Sequence, residues 1–359
     1  METLLEYKCP ACGGAIEFDA TSQKLKCPYC NTKFDVSVLR ELDEVLSQEK
    51  PSNYSWDIQP HTHWSEEEKA GMQTFVCQSC GGEIVGDSNT AATNCPYCDN
   101  PVVVADRFSA DLRPDLVVPF KLDKAQAMEA LEKHLSNKPL LPKLFKAQNR
   151  LESIQGVYVP FWMFDADADA NVRYRATRVR HWSDDKYNYI RTSYFTLIRD
   201  GIIGFANVPV DGSSKMPNEL MESIEPFDLS QGVDFQTAYL AGYLADKFDL
   251  DAEECIARAN ARIRASTEAA FLETTGGYAS VTPENSNIRL FNGQVRYALL
   301  PVWMITTNYQ GKSYTFAMNG QTGKMVGNLP IDWKRFVAYL LSIGLGSGAL
   351  ISLITSLLG

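Results

Sequence analysis

The chain has 359 residues, a formal net charge of −10 and a pI of about 5.0. This length predicts two or three domains, and the hydrophobic (45%) and charged (22%) contents are typical of globular proteins. The acidic balance disfavours broad electrostatic binding to nucleic acid or anionic lipid. The amino-terminal sequence METLLEYKCP contains no apolar stretch, so no secretory signal is predicted.

Eight of the nine cysteines form an internal repeat of paired Cys-x-x-Cys turns. In each copy 14 residues separate the two turns, and the second turn reads Cys-Pro-Tyr-Cys. Two such turns direct four thiolates at one ion, and this tetrahedral shell leaves no position for water or substrate. The repeat therefore predicts two structural metal sites and a reducing compartment. The predicted ligands are Cys9, Cys12, Cys27, Cys30, Cys77, Cys80, Cys95 and Cys98.

We expect Zn²⁺ in both sites, with iron in a rubredoxin-like shell as the alternative that the sequence leaves open. Each repeat has only about 30 residues and little core of its own, so metal binding of about 10 kcal/mol would decide whether it folds. The predicted domains are zinc ribbon 1 at 1–36, a linker with a short helix (Val38–Glu49) at 37–74, and zinc ribbon 2 at 75–106. We interpret His61 and His63 as exposed linker residues, because both Cys₄ sets are already complete.

Residues 107–332 predict a globular α+β body with antiparallel sheets. We expect one helix from Asp123 to Leu135, a second helical region at 234–247, and a third helix that Asp251 and Glu254 begin with a capping box. The sequence Pro-x-Trp-Met occurs twice in apolar strands, at Pro160–Met163 and at Pro301–Met304. The body is therefore predicted to be a duplicated module of a helix followed by a sheet.

The body contains no catalytic constellation and no phosphate-binding glycine loop, so we predict that the chain is not an enzyme. Asp165, Asp167 and Asp169 resemble the start of a calcium loop, but the sixth and twelfth positions of that loop do not match. Four arginines follow on one strand and predict an exposed surface that lipid head groups or an acidic partner could use; they are Arg173, Arg175, Arg178 and Arg180. Cys255, the odd cysteine, is expected to be a buried thiol.

Residues 336–358 contain no charged side chain and predict a helix about 34 Å long. That length would cross the apolar core of a bilayer, which is about 30 Å thick. Trp333, Lys334 and Arg335 precede the helix and predict that the rest of the chain is cytoplasmic. Residues 333–359 are thus expected to form a carboxyl-terminal membrane anchor. The alternatives are a buried carboxyl-terminal helix and a hairpin that dips into one leaflet and is broken at Gly344–Gly348. Gly344 and Gly348 would let two such helices pack closely in a homo-oligomer.

Several stretches together resemble the bacterial YdjG-like family, which is described as TFIIB-type zinc ribbon-containing membrane proteins. They are the two ribbons, GVYVPFWMFDA at 156–166, LPVWMITTNYQGKSYTFAMNGQTGKMVGNLP at 300–330, and the apolar tail. The resemblance covers most of the chain, and its most specific part is 300–330. It implies a membrane protein encoded with a flotillin-like (SPFH) protein and a TPM-domain protein, working with the phage-shock protein PspA in envelope-stress protection. Members are sometimes labelled replication-restart helicases, but the chain has no Walker motif.

Two functions follow from these observations. The first is a non-enzymatic, membrane-anchored scaffold or adaptor on the cytoplasmic face, in envelope-stress or membrane-protection complexes. The alternative is a zinc-ribbon regulator that binds nucleic acid, or a replication-associated protein. Basic residues surround ribbon 1 (Lys8, Lys24, Lys26 and Lys33), whereas 77–106 contains no Lys or Arg. This asymmetry argues against a tandem nucleic-acid-binding array.

Overall fold

The computed structural model describes most of the chain. The described residues are 9, 14, 16–37, 53–58, 63–87, 94–105, 112–136, 138–142, 145 and 154–358. The predicted ligand Cys12, the predicted linker helix Val38–Glu49 and His61 lie outside these residues.

The described residues form five helices, fifteen strands and two short 3₁₀ helices. The helices are α1 (Glu66–Ala70), α2 (Lys124–Ser136), α3 (Asn218–Ile224), α4 (Ala252–Glu273) and α5 (Trp333–Leu358). The 3₁₀ helices are Leu229–Gln231 and Thr237–Leu240. The strands are β1 (Glu17–Asp19), β2 (Lys24–Lys26), β3 (Lys33–Phe34), β4 (Asn53–Asp57), β5 (Met72–Cys77), β6 (Glu83–Asp87), β7 (Val102–Val104), β8 (Leu116–Val117), β9 (Gln155–Ser183), β10 (Asn188–Asp211), β11 (Val233–Asp234), β12 (Leu244–Asp246), β13 (Ser280–Tyr309), β14 (Lys312–Asn319) and β15 (Met325–Gly327).

The chain packs into two compact units, each built from three separate stretches. Unit 1 comprises Met1–Gln59, Phe164–Val208 and Ile256–Val295. Unit 2 comprises Pro60–Met163, Pro209–Cys255 and Arg296–Gly359.

Unit 1 contains ribbon 1, whose strands form a separate antiparallel sheet in the order β1-β2-β3. It also contains a sheet in which β4 lies parallel to β13 and β10 pairs with β9. The apolar face of this sheet packs against α4, because Ala166, Ala168 and Ala170 alternate with aspartates along β9 and contact Ile263. The helix itself begins as predicted, since Asp251 and Glu254 exchange backbone-to-side-chain hydrogen bonds of 2.8 and 2.9 Å.

Unit 2 contains a sheet that includes the strands of ribbon 2, in the hydrogen-bonded order β11-β8-β13-β9-β12-β6-β5-β7. The sheet is mixed, because β12 runs parallel to β9 and β8 runs parallel to β13. The prediction of purely antiparallel sheets is therefore wrong. The predicted helical region 234–247 is also wrong: it holds the 3₁₀ helix Thr237–Leu240 and then β12, which pairs with ribbon 2 on one side and with the body on the other.

The two Pro-x-Trp-Met strands make the same contacts in unit 2. The indole Nε1 of Trp162 donates to the carbonyl oxygen of Leu250 at 2.9 Å, and that of Trp303 donates to the carbonyl oxygen of Leu122 at 3.0 Å. Each of these leucines immediately precedes the aspartate that caps a helix, α4 or α2. Thus β9, which follows α2 in sequence, is hydrogen-bonded to the residue before the cap of α4. Likewise β13, which follows α4, is hydrogen-bonded to the residue before the cap of α2.

Backbone hydrogen bonds repeat the same arrangement. Gly212 donates to the carbonyl oxygen of Pro160 at 2.9 Å, and Gly320 donates to that of Pro301 at 2.8 Å. The carbonyl oxygen of each glycine then accepts two N–H groups, from Asp249 and Leu250 or from Lys121 and Leu122. The two copies of the module have therefore exchanged helices. We call this arrangement the helix exchange.

None of the helices formed by the described residues is long and apolar enough to cross a membrane. This finding overturns the predicted transmembrane helix and tail anchor at 333–359, and with them the predicted location at the cell membrane with the bulk of the chain in the cytoplasm. Eight of the 23 residues at 336–358 are Gly, Ser or Thr, and their low hydropathy offsets part of that of the leucines and isoleucines. In the structure α5 begins after Asp332, whose carboxylate accepts the N–H groups of Lys334 and Arg335.

Candidate metal centres

Two hairpin turns bring the four cysteines of ribbon 2 together. The first turn joins β5 to β6, where the N–H of Cys77 donates to Gly82 at 2.9 Å and the N–H of Gly81 donates back to Cys77 at 2.8 Å. Gly81 has a φ of +71°, a conformation that favours glycine. The second turn is closed in the same way, since the N–H of Cys95 donates to Asn100 at 2.8 Å. All four Sγ atoms lie within 4.8 Å of one another.

The spacing of these sulfurs fits one tetrahedral metal ion. The Sγ–Sγ distances are 3.5 Å for Cys77–Cys98 and 3.6 Å for Cys80–Cys95. A disulfide would require about 2.05 Å, whereas four thiolates around Zn²⁺ at 2.3 Å lie about 3.8 Å apart. The side-chain amide of Asn100 also donates to the Sγ of Cys98 at 3.4 Å, which neutralises part of the thiolate charge.

Without an ion, the pKa values of three of these thiols shift in different directions. Burial raises the pKa of Cys95 and of Cys80. Burial acts on Cys77 in the same direction, but N–H groups of Cys80 and Ser79 outweigh it and lower the pKa of Cys77 to about 7. A bound divalent cation supplies the charge that lets all four become thiolates together.

Ribbon 1 presents three described thiols in the same arrangement. The Sγ atoms of Cys9, Cys27 and Cys30 lie within 4.8 Å of one another, with Cys9 and Cys30 at 3.6 Å. The N–H of Cys9 donates to Gly14 at 2.7 Å and that of Cys27 donates to Thr32 at 3.0 Å, so both turns resemble those of ribbon 2. These three thiols and those of ribbon 2 are the groups among the described residues that could hold a metal ion.

A buried carboxylate lies beside the second turn of ribbon 2. Asp246 ends β12 and is fully buried, and neither of its oxygens has a hydrogen-bond partner among the described residues. Burial raises the pKa of Asp246 to about 7, and the charge of Asp246 in turn helps burial to raise the pKa of Tyr97. Nothing in the sequence indicated that this carboxylate would be buried, because it follows Leu244 and Ala245 in a region predicted as helix.

The other candidate residues have structural roles in the described part of the chain. Asp167 accepts a hydrogen bond from Asn292 at 2.9 Å, and Asp169 pairs with Arg289 at 2.7 Å, so these carboxylates face solvent-exposed partners rather than an ion. Asp165 accepts the N–H of Asn207. Arg173 and Arg175 both pair with Glu284. Cys255 is buried, with its Sγ 3.7 Å from the carbonyl oxygen of Asp211, and His63 is exposed.

Comparison with known proteins gives one informative similarity. No family model and no solved structure matches the chain. The chain is 35% identical over 356 residues to a protein of Bacillus subtilis (strain 168) named uncharacterized protein YdjG. The alignment covers 99% of each chain, so the similarity includes both ribbons and the body.

Proposed function

Since the chain belongs to the YdjG-like family, we propose that it is a non-enzymatic zinc-ribbon protein that serves as a scaffold or adaptor for other proteins. Two structural Zn²⁺ ions, one in each ribbon, would stabilise the surfaces that bind those partners. The observation that carries the proposal is the cluster of Cys77, Cys80, Cys95 and Cys98, whose four sulfurs lie within 4.8 Å of one another. Four protein ligands leave a zinc ion no vacant position for substrate, so the metal would have a structural role.

The packing of ribbon 2 supports this role. Cys77 and Cys95 belong to the same apolar core as Val157, Val159 and Leu300 of the body. The hydroxyl of Thr306 also donates to the carbonyl oxygen of Pro96, inside the second Cys-x-x-Cys turn, at 2.8 Å. Metal binding here would therefore stabilise the fold of unit 2 itself.

The proposed partners come from the family resemblance: a flotillin-like (SPFH) protein, a TPM-domain protein and a PspA-like protein, in an envelope-stress complex. The test is to co-express the tagged full chain with each of these three proteins from the same genome and to quantify the complexes after crosslinking. We expect at least one complex, and we expect it to weaken in the Cys95→Ser variant. No complex with any of the three would overturn the proposed partners.

Metal content is tested separately on the purified full chain. We expect two zinc ions per chain by elemental analysis, and no absorption of visible light. Visible bands of an iron–thiolate centre would identify iron instead, and fewer than two ions per chain would show that one ribbon does not bind metal.

The nucleic-acid function has less support. Two lysines of ribbon 1 pair with neighbouring carboxylates, Lys24 with Asp35 at 3.1 Å and Lys33 with Asp19 at 3.4 Å. These contacts reduce the positive charge that ribbon 1 offers to phosphates. A salt-dependent affinity for DNA at about micromolar concentration would nevertheless favour this function over the scaffold.

A further inference from the structure

The end of the β9–β10 hairpin is an exposed, aromatic surface that carries three basic side chains (Arg180, Lys186 and Arg191) and two acidic ones (Asp184 and Asp185). We call residues 179–194 the arm. Below the arm, β9 is paired on its other side as far as Thr177, whose carbonyl oxygen accepts the N–H of Ala279, just before β13, at 2.7 Å. Arg178 closes the base of the arm by lying 5.1 Å from the ring of Tyr278 and 5.4 Å from that of Phe195.

The arm carries large apolar side chains that contact solvent. Trp182 and Tyr187 are 51% and 64% exposed, and Tyr189, Ile190 and Tyr194 are exposed as well. Tyr189 contacts both Trp182 and Tyr187, with ring centroids 5.4 and 6.3 Å apart, so these exposed rings form one patch. A contiguous exposed aromatic patch favours binding to another molecule, whereas scattered apolar residues do not.

The tip of the arm is ordered by its own hydrogen bonds. The carboxylate of Asp184 accepts the N–H groups of Lys186 and Tyr187 at 2.9 and 2.7 Å, and the hydroxyl of Tyr189 at 2.8 Å. The rings of Trp182 and Tyr189 stack with centroids 5.4 Å apart. The arm therefore presents its aromatic rings in a fixed arrangement, which lowers the entropic cost of binding.

Two arginines lie opposite each other on the arm. The N–H of Asp184 donates to Tyr187, and Trp182 stacks on Tyr189, so both pairs follow one strand register. The same register places Arg180 opposite Arg191. Like charges directly opposite across two strands destabilise a hairpin, and neither arginine forms an ion pair with another described residue. An acidic partner would remove this repulsion.

A strongly acidic segment occurs elsewhere in the same chain. Residues 218–254 contain ten Asp or Glu residues and one basic residue, Lys247. Eight of the ten are exposed: Glu219, Glu222, Asp228, Asp234, Asp249, Asp251, Glu253 and Glu254. Lys247 pairs with Glu83 at 3.1 Å, outside the segment, and Lys215, just before the segment, pairs with Asp249 at 3.5 Å. The segment therefore keeps most of its negative charge.

We propose that the arm binds the acidic segment (218–254) of a second copy of this chain. Trp, Tyr and Arg, which the arm presents together, are the residues that dominate the binding energy of protein–protein interfaces. The charge of the arm complements that of the segment, and arginine forms bidentate hydrogen bonds with carboxylates. In a two-fold dimer each arm would bind the segment of the other copy, so the assembly would be closed. This inference goes beyond the proposed function and does not depend on it.

The first test is analytical ultracentrifugation of the full chain. We expect a dimer at about 50 mM salt and dissociation at about 500 mM salt, because screening weakens exposed charge pairs. The arm variant Arg180→Glu/Arg191→Glu should weaken the dimer about 100-fold, since like charges would then face each other at both contacts. Trp182→Ser should weaken it as well. A control with the same change in charge, Lys26→Glu/Lys312→Glu, should leave the dimer unchanged.

Mixing two variants gives the decisive result. The segment variant Glu219→Lys/Asp234→Lys/Glu253→Lys should be as monomeric as the arm variant. Mixing the two variants should restore a dimer, because wild-type arm then meets wild-type segment at one contact and both charges are reversed at the other. This recovery would also show that both variants are folded. A wild-type chain that stays monomeric at low salt, a dimer that the arm variant leaves intact, or a mixture without recovery would each overturn the proposal.

Discussion

The two ribbons share the sequence Cys-Pro-Tyr-Cys but place its tyrosine in opposite environments. Tyr29 of ribbon 1 is 75% exposed, whereas Tyr97 of ribbon 2 is 9% exposed. Ribbon 1 forms its own three-stranded sheet, and the buried core formed by its described residues consists of Cys9 and Cys27 packed against two partly buried side chains. Ribbon 2 shares a sheet and an apolar core with the body of unit 2.

The difference shows that one local motif can be used in two ways. The turns that hold the cysteines follow the same hydrogen-bond pattern in both ribbons, so the local sequence determines them. What differs is the outer strand of ribbon 2, β6, which pairs with β12. Among the described residues the strands of ribbon 1 pair with one another alone, so we expect its stability to rest mainly on its metal. Ribbon 2 also pairs with the body, so we expect the stability of each to depend on the other.

Loss of one ligand in each ribbon should give the largest difference. We expect Cys95→Ser to lower the stability of unit 2 by several kcal/mol, out of the roughly 10 kcal/mol that zinc binding supplies. Cys27→Ser should abolish protection of residues 16–37 and leave unit 2 unchanged. Hydrogen exchange followed by mass spectrometry measures both effects in the full chain. Equal loss of protection in unit 2 for both variants would show that the ribbons are not different in this way.

Replacing the shared tyrosine should give the next largest effect. Tyr97→Ala removes a buried ring and should cost about 3 kcal/mol in thermal or denaturant unfolding. Tyr29→Ala should change stability by less than about 0.5 kcal/mol, because an exposed ring loses little contact. As a control, Tyr97→Phe should be tolerated, since the hydroxyl has no partner among the described residues. A large loss from Tyr29→Ala would contradict the comparison.

Two aspartates beside the ribbons should respond to pH in opposite directions. The pKa of Asp246 is raised from 3.8 to about 7 by burial, so its contribution to stability is present below about pH 4 and is lost as pH rises to 7. The hydroxyl of Ser22, with the N–H of Thr21 and the ammonium of Lys33, lowers the pKa of Asp19 from 3.8 to about 2. Its contribution is therefore present above pH 4 and is lost as pH falls to 2.

The matched variants Asp246→Asn and Asp19→Asn test this contrast by unfolding at several pH values. Asp246→Asn should stabilise the protein by about 2 kcal/mol at pH 8, roughly half of the linkage energy, since the buried amide also lacks partners. The gain should disappear at pH 4. In Asp19→Asn the free energy of unfolding should no longer show the fall that Asp19 causes in the wild type below pH 4, and its pH dependence above pH 4 should be unchanged. The assignment of a raised pKa to Asp246 would be contradicted by the opposite pattern: a free energy of unfolding that rises between pH 4 and pH 7 in the wild type but falls over the same range in Asp246→Asn.

The sequence was sufficient where a local pattern carries the information. The spacing of the cysteines predicted which thiols lie together, and the pairs Asp123–Gln126 and Asp251–Glu254 cap α2 and α4 through short-range hydrogen bonds. The repeated Pro-x-Trp-Met marked two strands that make equivalent contacts.

The sequence was insufficient where the structure depends on distant partners. Leu244–Asp246 became a strand because it lies between β6 and β9, which are far away in sequence. Its own residues gave no sign of that pairing, and the surrounding apolar spacing favoured a helix. In the same way, nothing in the residues around Asp246 indicated that its carboxylate would be buried. In the tail a local pattern was misleading: the absence of charge at 336–358 favours a membrane span, whereas its Gly, Ser and Thr residues lower its hydropathy, and no helix of the described residues is apolar enough to cross a membrane.

The helix exchange has a consequence for the growing polypeptide on the ribosome. Trp303 and Leu122 are 181 residues apart, and Phe316 and Met318, which pack on α2, emerge later still. The apolar side of α2, formed by Ala127, Leu131 and Leu135, shares its core with Leu141, Phe145 and Ile154, which are translated soon after it. Its other partners, Trp303, Phe316 and Met318, are translated only after nearly half of the protein has been added. During that interval part of the apolar surface of α2 is exposed on the nascent chain, and we expect chaperones to bind this surface.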